Sequence, residues 1–326
     1  MRLAALALIF AASAAFLSLE AQQAPKAPVP VILSTDTGNE VDDQWVILYL
    51  LTDPAFDVRG ILSAQAPTLP DPSAHWTLGV LRDQVENHMG LTVHPPLLEG
   101  ASTPMTDAST PQPSAAARFL VEQSKGFSST NRLTVLTIGA ATDTASALLL
   151  DPTLADRIRI VAMGFTNLKP EGAKEFNVEN DPHAWQAILK SHVPVAIGTG
   201  EVCRHDLSMG YAQAQQMLAN RGPIGAWLWD EYRMWYFSHV KPLRSTDYTH
   251  NHVIWDIITA AYVRGLVTTE TVPRPSLTDS VRFAQGQNGA TWETISHVDT
   301  TTLWKDFFAD LDHFTATHNL PPYQPR

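Results

Sequence analysis

Cysteine is nearly absent: Cys203 is the only one in 326 residues, so no intramolecular disulfide is available and stability has to come from a buried core. Basic charge is also scarce, with 22 Lys and Arg against 33 Asp and Glu and a net charge of −11. No run of Lys or Arg occurs, which removes the clustered positive charge that a nucleic-acid polymer partner requires. Beyond the N-terminus no segment is apolar enough to span a bilayer. Internal repeats, low-complexity linkers and a composition break that would mark a second domain are missing too. What is present is 44% hydrophobic content, ample for one large core.

Met1 and Arg2 precede an apolar run from Leu3 to Leu19, followed by Glu20 and Ala21. This is the layout of a secretory signal peptide over residues 1–21, with an N-terminal membrane anchor as the alternative. Residues 22–28 read as a tail, and 29–326 as a single catalytic domain. Periplasmic or secreted localisation, without stable membrane insertion after cleavage, follows from that reading. Cys203 has His205 two residues away, yet a lone thiol at a strand exit reads as a small buried filler rather than a nucleophile.

Apolar β-branched runs at Val29 to Thr35, Val58 to Ala64, Leu133 to Gly139, Ile158 to Gly164 and Val193 to Gly200 predict buried strands. Helical patterns lie between and after them: Asp42 to Leu51, Trp76 to Asn87, Ser114 to Ser124, Thr142 to Leu150, Pro182 to Lys190 and Val253 to Arg264. Alternation of this kind predicts an α/β fold with an open, mainly parallel, Rossmann-like sheet and flanking helices. Ligands then belong in the crevice beyond the carboxyl ends of the strands.

The first such loop is rich in acid. Asp36 ends a strand, Gly38 permits a turn, and Asp42 and Asp43 open a helix. Hard oxygen donors converging from a short turn suit Ca²⁺ or Mg²⁺, whereas zinc would want His or Cys. Helix capping alone accounts for one of these acids but not for Asp36 as well.

The stretch Ile32-Leu33-Ser34-Thr35-Asp36-Thr37-Gly38-Asn39-Glu40-Val41-Asp42-Asp43 resembles the signature of the inosine-uridine-preferring nucleoside hydrolases. Leu136 to Asp143, Ile160 to Gly164, Glu175 to Pro182 and Trp255-Asp256 follow in the family's order, so the resemblance covers roughly residues 29–265. It implies that Asp36, Asp43 and Asp256 bind Ca²⁺ together with the backbone carbonyl of Ile138. It further implies that Asp36 is the general base for a metal-activated water, and that Asp42, Glu175, Asn177 and Asp256 hold ribose hydroxyls. The implied reaction is calcium-dependent hydrolysis of the N-glycosidic bond of ribonucleosides to free nucleobase and ribose, serving salvage. Its partner is a small nucleoside, and a homo-oligomer is compatible with the sequence. Glu175 and Asn177, two apart, would face one side in extended backbone.

Several positions depart from the family pattern. Ser34 stands where an aspartate is usual, and the turn from Gly38 to Asp42 is two residues longer. Gln65 occupies the region of a family asparagine, and Asn167 is a candidate substrate contact despite altered spacing. Trp255 replaces a histidine that protonates the leaving base in some members, so His250 and His252 become the candidate acids. Trp255 itself joins the substrate-binding candidates. The aromatic stretch Trp227, Trp229, Tyr232, Trp235 and Tyr236 offers stacking surfaces, although its near-helical spacing favours packing. Three other readings stay open: a hydrolase of another riboside or glycoside, a calcium-dependent sugar- or nucleoside-binding protein, and a phosphohydrolase. The last lacks its usual second aspartate, since Gly38 stands there.

Overall fold

The computed structural model describes residues 27–240 and 251–325. The signal-peptide reading of residues 1–21 falls outside the described residues, as does His250. The strands are β1 (Val29–Thr35), β2 (Phe56–Ser63), β3 (Leu97–Glu99), β4 (Leu133–Thr137), β5 (Ile158–Met163), β6 (Val195–Gly198), β7 (Ser208–Gly210), β8 (Asn251–Val253), β9 (Val267–Pro273), β10 (Ser276–Leu277), β11 (Phe283–Ala284) and β12 (Thr291–Val298). The helices are α1 (Asp42–Thr52), α2 (Ser73–Arg82), α3 (Ala115–Ser124), α4 (Thr142–Leu150), α5 (Leu154–Arg157), α6 (Phe176–Asn180), α7 (Pro182–Lys190), α8 (Gly200–Asp206), α9 (Tyr211–Leu218), α10 (Gly222–Val240), α11 (Ile257–Arg264) and α12 (Thr300–Thr317). Among the described residues no helix is long and apolar enough to cross a membrane.

Eight strands form one sheet in the order β3-β2-β1-β4-β5-β6-β12-β9. Every pairing is parallel except that of β12 with β9. The expected α/β architecture is therefore present, with an antiparallel edge strand added by the C-terminal region. Both faces of the central strands are covered, which is why they read as continuous apolar runs rather than alternating ones. Val31 and Leu33 of β1 enter one core, with α1, α11 and α12, while Ile32 between them enters the other, with α3, α4 and α7. In the first core Trp45 stacks on Phe307 (ring centroids 5.5 Å apart); in the second, Trp185 meets Phe165 edge-on at 4.8 Å.

The strand order reverses direction between β1 and β4. The chain leaving β1 enters α1 on one face, and the chain leaving β4 enters α4 on the other. The two loops part at their strand ends and open a crevice, where such sheets bind ligands.

Loops around this crevice are tied down by buried polar side chains. Asp181, fully buried, caps α7 by accepting from Ala184 N (2.9 Å). It also accepts from Met105 N (2.9 Å) and from the Thr142 hydroxyl (2.7 Å), joining three segments through one carboxylate. Asp143 likewise accepts from Ala101 N and the Ser114 hydroxyl.

Replacing Asp181 with Ala removes a cap and leaves a buried N–H and hydroxyl without partners, so Asp181→Ala is expected to lower unfolding stability by about 3 kcal/mol. Urea unfolding followed by fluorescence measures this; a loss indistinguishable from that of a surface substitution would contradict the joining role.

Candidate functional site

The site is built at the end of β1. Gly38 takes a φ of +100°, a left-handed conformation that strains side-chain-bearing residues. The turn passes through Asn39 and Glu40 into α1, leaving Asp42 and Asp43 in the helix's first turn, where unpaired backbone N–H groups favour carboxylates. Thr35 clamps strand to helix: its hydroxyl donates to Asp43 Oδ1 and accepts from Thr37 N (3.2 Å). Just past β4, Gly139 lies so close that a Cβ there would come within 2.9 Å of both the backbone N and Oδ1 of Asp36. Any larger residue would displace the aspartate.

Other elements complete a cavity of about 290 Å³. Asp256, beside the start of α11, donates its backbone N–H to Asp42 Oδ2 (3.2 Å). Carboxylate oxygens of Asp42, Asp43 and Asp256, all buried, lie within 4.8 Å of one another. Asp36 lines the same cavity, and its Oδ2 is buried without a hydrogen-bond partner. Glu175 and Asn177 enter from the segment after β5. The Ile138 carbonyl, also on the lining, accepts from Asn177 Nδ2 at 2.9 Å.

Six carboxylates thus line one half-open cavity: Asp36, Glu40, Asp42, Asp43, Glu175 and Asp256. Burial pushes Asp36 well above the usual carboxylate range, and the charge of Asp42 adds to it. Asp43 and Asp256 are raised in the same way, by burial first and then by Asp36 and Asp42 respectively. Asp42 is pushed up to about 7 by burial and by Asp43, and Glu175 to about 7 by burial. Like charges held this close out of water repel strongly, and a divalent cation reverses the sign of that interaction. The donor set fits one: hard oxygens only, with an orphaned carboxylate oxygen and a carbonyl that has a second lone pair.

All four residues expected as ligands, Asp36, Asp43, Asp256 and Ile138, line this cavity together with the expected ribose contacts Asp42, Glu175 and Asn177. Asp42, at the end of the turn, opens α1 and lines the cavity. Glu175 and Asn177 share a side for a reason other than the expected extended backbone. Glu175 caps α6, its Oε2 accepting from Val178 N (3.2 Å), and Asn177 lies in that helix's first turn. Trp255 lines the cavity.

Other expectations need correction. Asn167 lies on a neighbouring cavity with Lys169 and Glu201, not on the acidic one. Its Oδ1 accepts from Lys169 N (2.9 Å) and packs where a Gly172 side chain would otherwise stand, so it stabilises its own loop. His252 is buried in β8, its ring centroid 3.8 Å from that of Trp235; it sits within 4.8 Å of the Glu40 and Asp42 carboxylates but does not line the cavity. Trp227, Trp229, Tyr232 and Tyr236 of α10 are buried in the core, and Trp235 packs against it, which is the packing outcome. Gln65 donates to Asn180 O (3.0 Å) and holds a loop. The Cys203 thiol is buried, donates to Trp255 O (3.5 Å) and has its pKa raised, by burial above all. Glu40, Arg204, Thr166, Met163 and Phe176 also line the cavity and were not among the sequence candidates. Glu40 lies inside the acidic turn, and Met163 and Phe176 lie inside stretches that carry the resemblance, whereas Arg204 and Thr166 lie in none of them.

The sequence pattern of a family described as inosine-uridine preferring nucleoside hydrolase matches residues 31–305. A pyrimidine-specific ribonucleoside hydrolase, RihA, of Salmonella arizonae is 28% identical over 218 residues, covering 60% of this chain and 68% of that protein. The RihA of Citrobacter koseri is 26% identical over 218 residues, covering 60% and 67%. A purine-preferring ribonucleoside hydrolase from Gardnerella vaginalis shares the fold with a TM-score of 0.70 at 20% identity, over 89% of this chain and 100% of that one. An inosine-guanosine nucleoside hydrolase gives a TM-score of 0.67 at 16% identity, over 87% and 98%.

The raised carboxylates make stability depend on pH in a definite direction. Asp42 and Glu175 rise to about 7 from ordinary values of 3.8 and 4.5. Groups raised on folding contribute fully below their ordinary values and lose that contribution as pH climbs through the folded value. The metal-free protein should therefore show a melting temperature that falls between about pH 4 and about pH 7. Added Ca²⁺ should raise it, and more so at about pH 8 than at about pH 5, where protons compete. A melting temperature indifferent to calcium and to chelator at both pH values would count against a cation site.

Proposed function

Since the chain belongs to the inosine-uridine preferring nucleoside hydrolase family, we propose that it is a calcium-dependent ribonucleoside hydrolase in which Asp36 is the general base. The observation that carries the proposal is the buried, unpartnered Oδ2 of Asp36 in a cavity that also holds Asp42, Asp43, Asp256 and the Ile138 carbonyl. The cluster's all-oxygen donor set supports Ca²⁺, which takes six to eight such ligands in flexible geometry. A cation held by Asp36, Asp43, Asp256 and the Ile138 carbonyl would supply Lewis acidity that lowers the pKa of the attacking water.

The protein's own groups do the rest. Asp36 accepts the proton as the water oxygen attacks C1′ of the ribose. Asn177 spends its amide N–H on Ile138 O, which leaves its Oδ1 to accept from a ribose hydroxyl. The Glu175 carboxylate, anchored by Val178 N, accepts from a neighbouring hydroxyl. Asp42, oriented by Asp256 N, takes another. With the sugar fixed, attack becomes effectively intramolecular. Breaking the N-glycosidic bond builds positive charge on the ribose ring, and the surrounding carboxylates stabilise it.

The apolar leader after Met1-Arg2 supports export, and an exported enzyme would release bases for uptake.

Asp36→Asn keeps shape and removes the base. Its kcat for release of free base from inosine or uridine is expected to fall roughly 10³-fold, while the metal-free variant melts at or above the wild-type temperature because one buried like charge is gone. Chelation should abolish wild-type turnover, and Ca²⁺ should restore it. Chromatography of the products decides: intact nucleosides after long incubation with calcium would defeat the proposal.

A further inference from the structure

Trp255 lines the cavity and offers an aromatic face but no ionisable proton, and a cation lies against that face. Arg204, on α8, lines the cavity beside Trp255, and its guanidinium carbon lies over the indole ring, 5.1 Å from the centroid. The stack is supported from behind. Cys203, the preceding residue, is buried, and its thiol donates to the Trp255 carbonyl at 3.5 Å, joining α8 to the chain that enters α11. Gly200, one turn before Arg204, also lines the cavity and leaves room there, with an Arg204 nitrogen 3.6 Å from where a Cβ would stand.

Arg204 makes no ion pair among the described residues, although six carboxylates line the same cavity. A guanidinium held over an aromatic ring by a cation–π contact still has N–H donors to offer a further partner. On the hydrolase reading Asp36, Asp42, Asp43, Glu175 and Asp256 serve the cation and the sugar, which leaves the aglycone as the partner for Arg204.

We propose that Arg204, held against Trp255, is a catalytic residue that hydrogen-bonds the departing nucleobase and stabilises the negative charge it gains as the C1′–N bond breaks; this rests on the hydrolase reading above. Water oxygen bonds to C1′, its proton passes to Asp36, and the C1′–N electron pair leaves with the base. Guanidinium does not deprotonate in proteins, so the base departs as an anion paired with Arg204. It takes a proton from solvent once released, and Asp36 returns its own proton to solvent. Trp255 provides the platform that holds Arg204 and a face for the base to meet.

The test compares two leaving groups in the calcium-loaded full-length enzyme. Arg204→Ala should lower kcat for inosine or uridine on the order of 10²-fold, the effect of removing one preorganised donor to developing charge. With p-nitrophenyl β-ribofuranoside, whose phenolate leaves readily without help, the deficit should shrink by about an order of magnitude or more. Arg204→Lys, which keeps charge but loses the planar stack, should fall between. Trp255→Ala should reproduce the dependence on leaving group. Arg204 is exposed, so its variants should melt with the wild type. An equal deficit on both substrates, or none on nucleosides, would overturn the role of Arg204 while leaving the hydrolase reading intact. A wild-type enzyme that cleaves neither substrate would overturn that reading, and this proposal with it.

Discussion

Six carboxylates converging on one cavity is the constraint around which the molecule is organised. Burial makes Asp36, Asp42, Asp43, Glu175 and Asp256 hard to ionise where they lie. Their proximity is enforced by architecture: Asp36 hangs from the end of β1, Asp42 and Asp43 open α1, Asp256 precedes α11, and Glu175 caps α6. No short segment could assemble this set alone. The reversal of strand order between β1 and β4 makes room for it, and the Thr35 clamp and the bare Cα of Gly139 leave Asp36 and Asp43 little freedom to move apart. The fold therefore holds repulsion in place, and a cation converts it into cohesion. On the proposed reading, binding a metal and shaping a sugar site are one structural event.

On the proposed reading charge is also sorted along the cavity. The acidic group would meet the cation and the sugar, where positive charge develops as the glycosidic bond breaks. The Arg204–Trp255 pair would offer positive charge and an aromatic face to the departing base. A bond that breaks heterolytically would then be met by opposite potentials at its two ends, an arrangement that favours its scission.

Much of this is legible in the chain. The buried strands announce themselves because both faces are covered, so the apolar runs are unbroken. The acids Asp36, Asp42 and Asp43 are legible as one acid-rich loop between a strand end and a helix start, whereas Asp256 is legible only through the family resemblance. Arg204 is not legible: it lies in an unremarkable helix, and only the folded chain sets it beside a residue 51 positions later. Asn167 misleads because a polar residue after a strand looks the same whether it faces a ligand or its own turn. Glu175 and Asn177 were read as extended because two-residue spacing cannot distinguish a strand from a cap followed by a helical turn. His252 has the right chemistry and the right neighbourhood, yet Trp235 packs over its ring. Sequence spacing does not carry that third dimension.

The turn between Gly38 and Asp42 has a consequence for how such enzymes diversify. β1 and α1 are fixed from outside it, by the sheet on one side and by the aromatic packing of Trp45 on the other. Insertions in the turn therefore change neither the strand register nor the helix phase. They alter only the side chains presented at the cavity rim, as Glu40 is presented here. A change of length in this turn would alter what the cavity admits while leaving the strand and helix that carry Asp36, Asp42 and Asp43 in place.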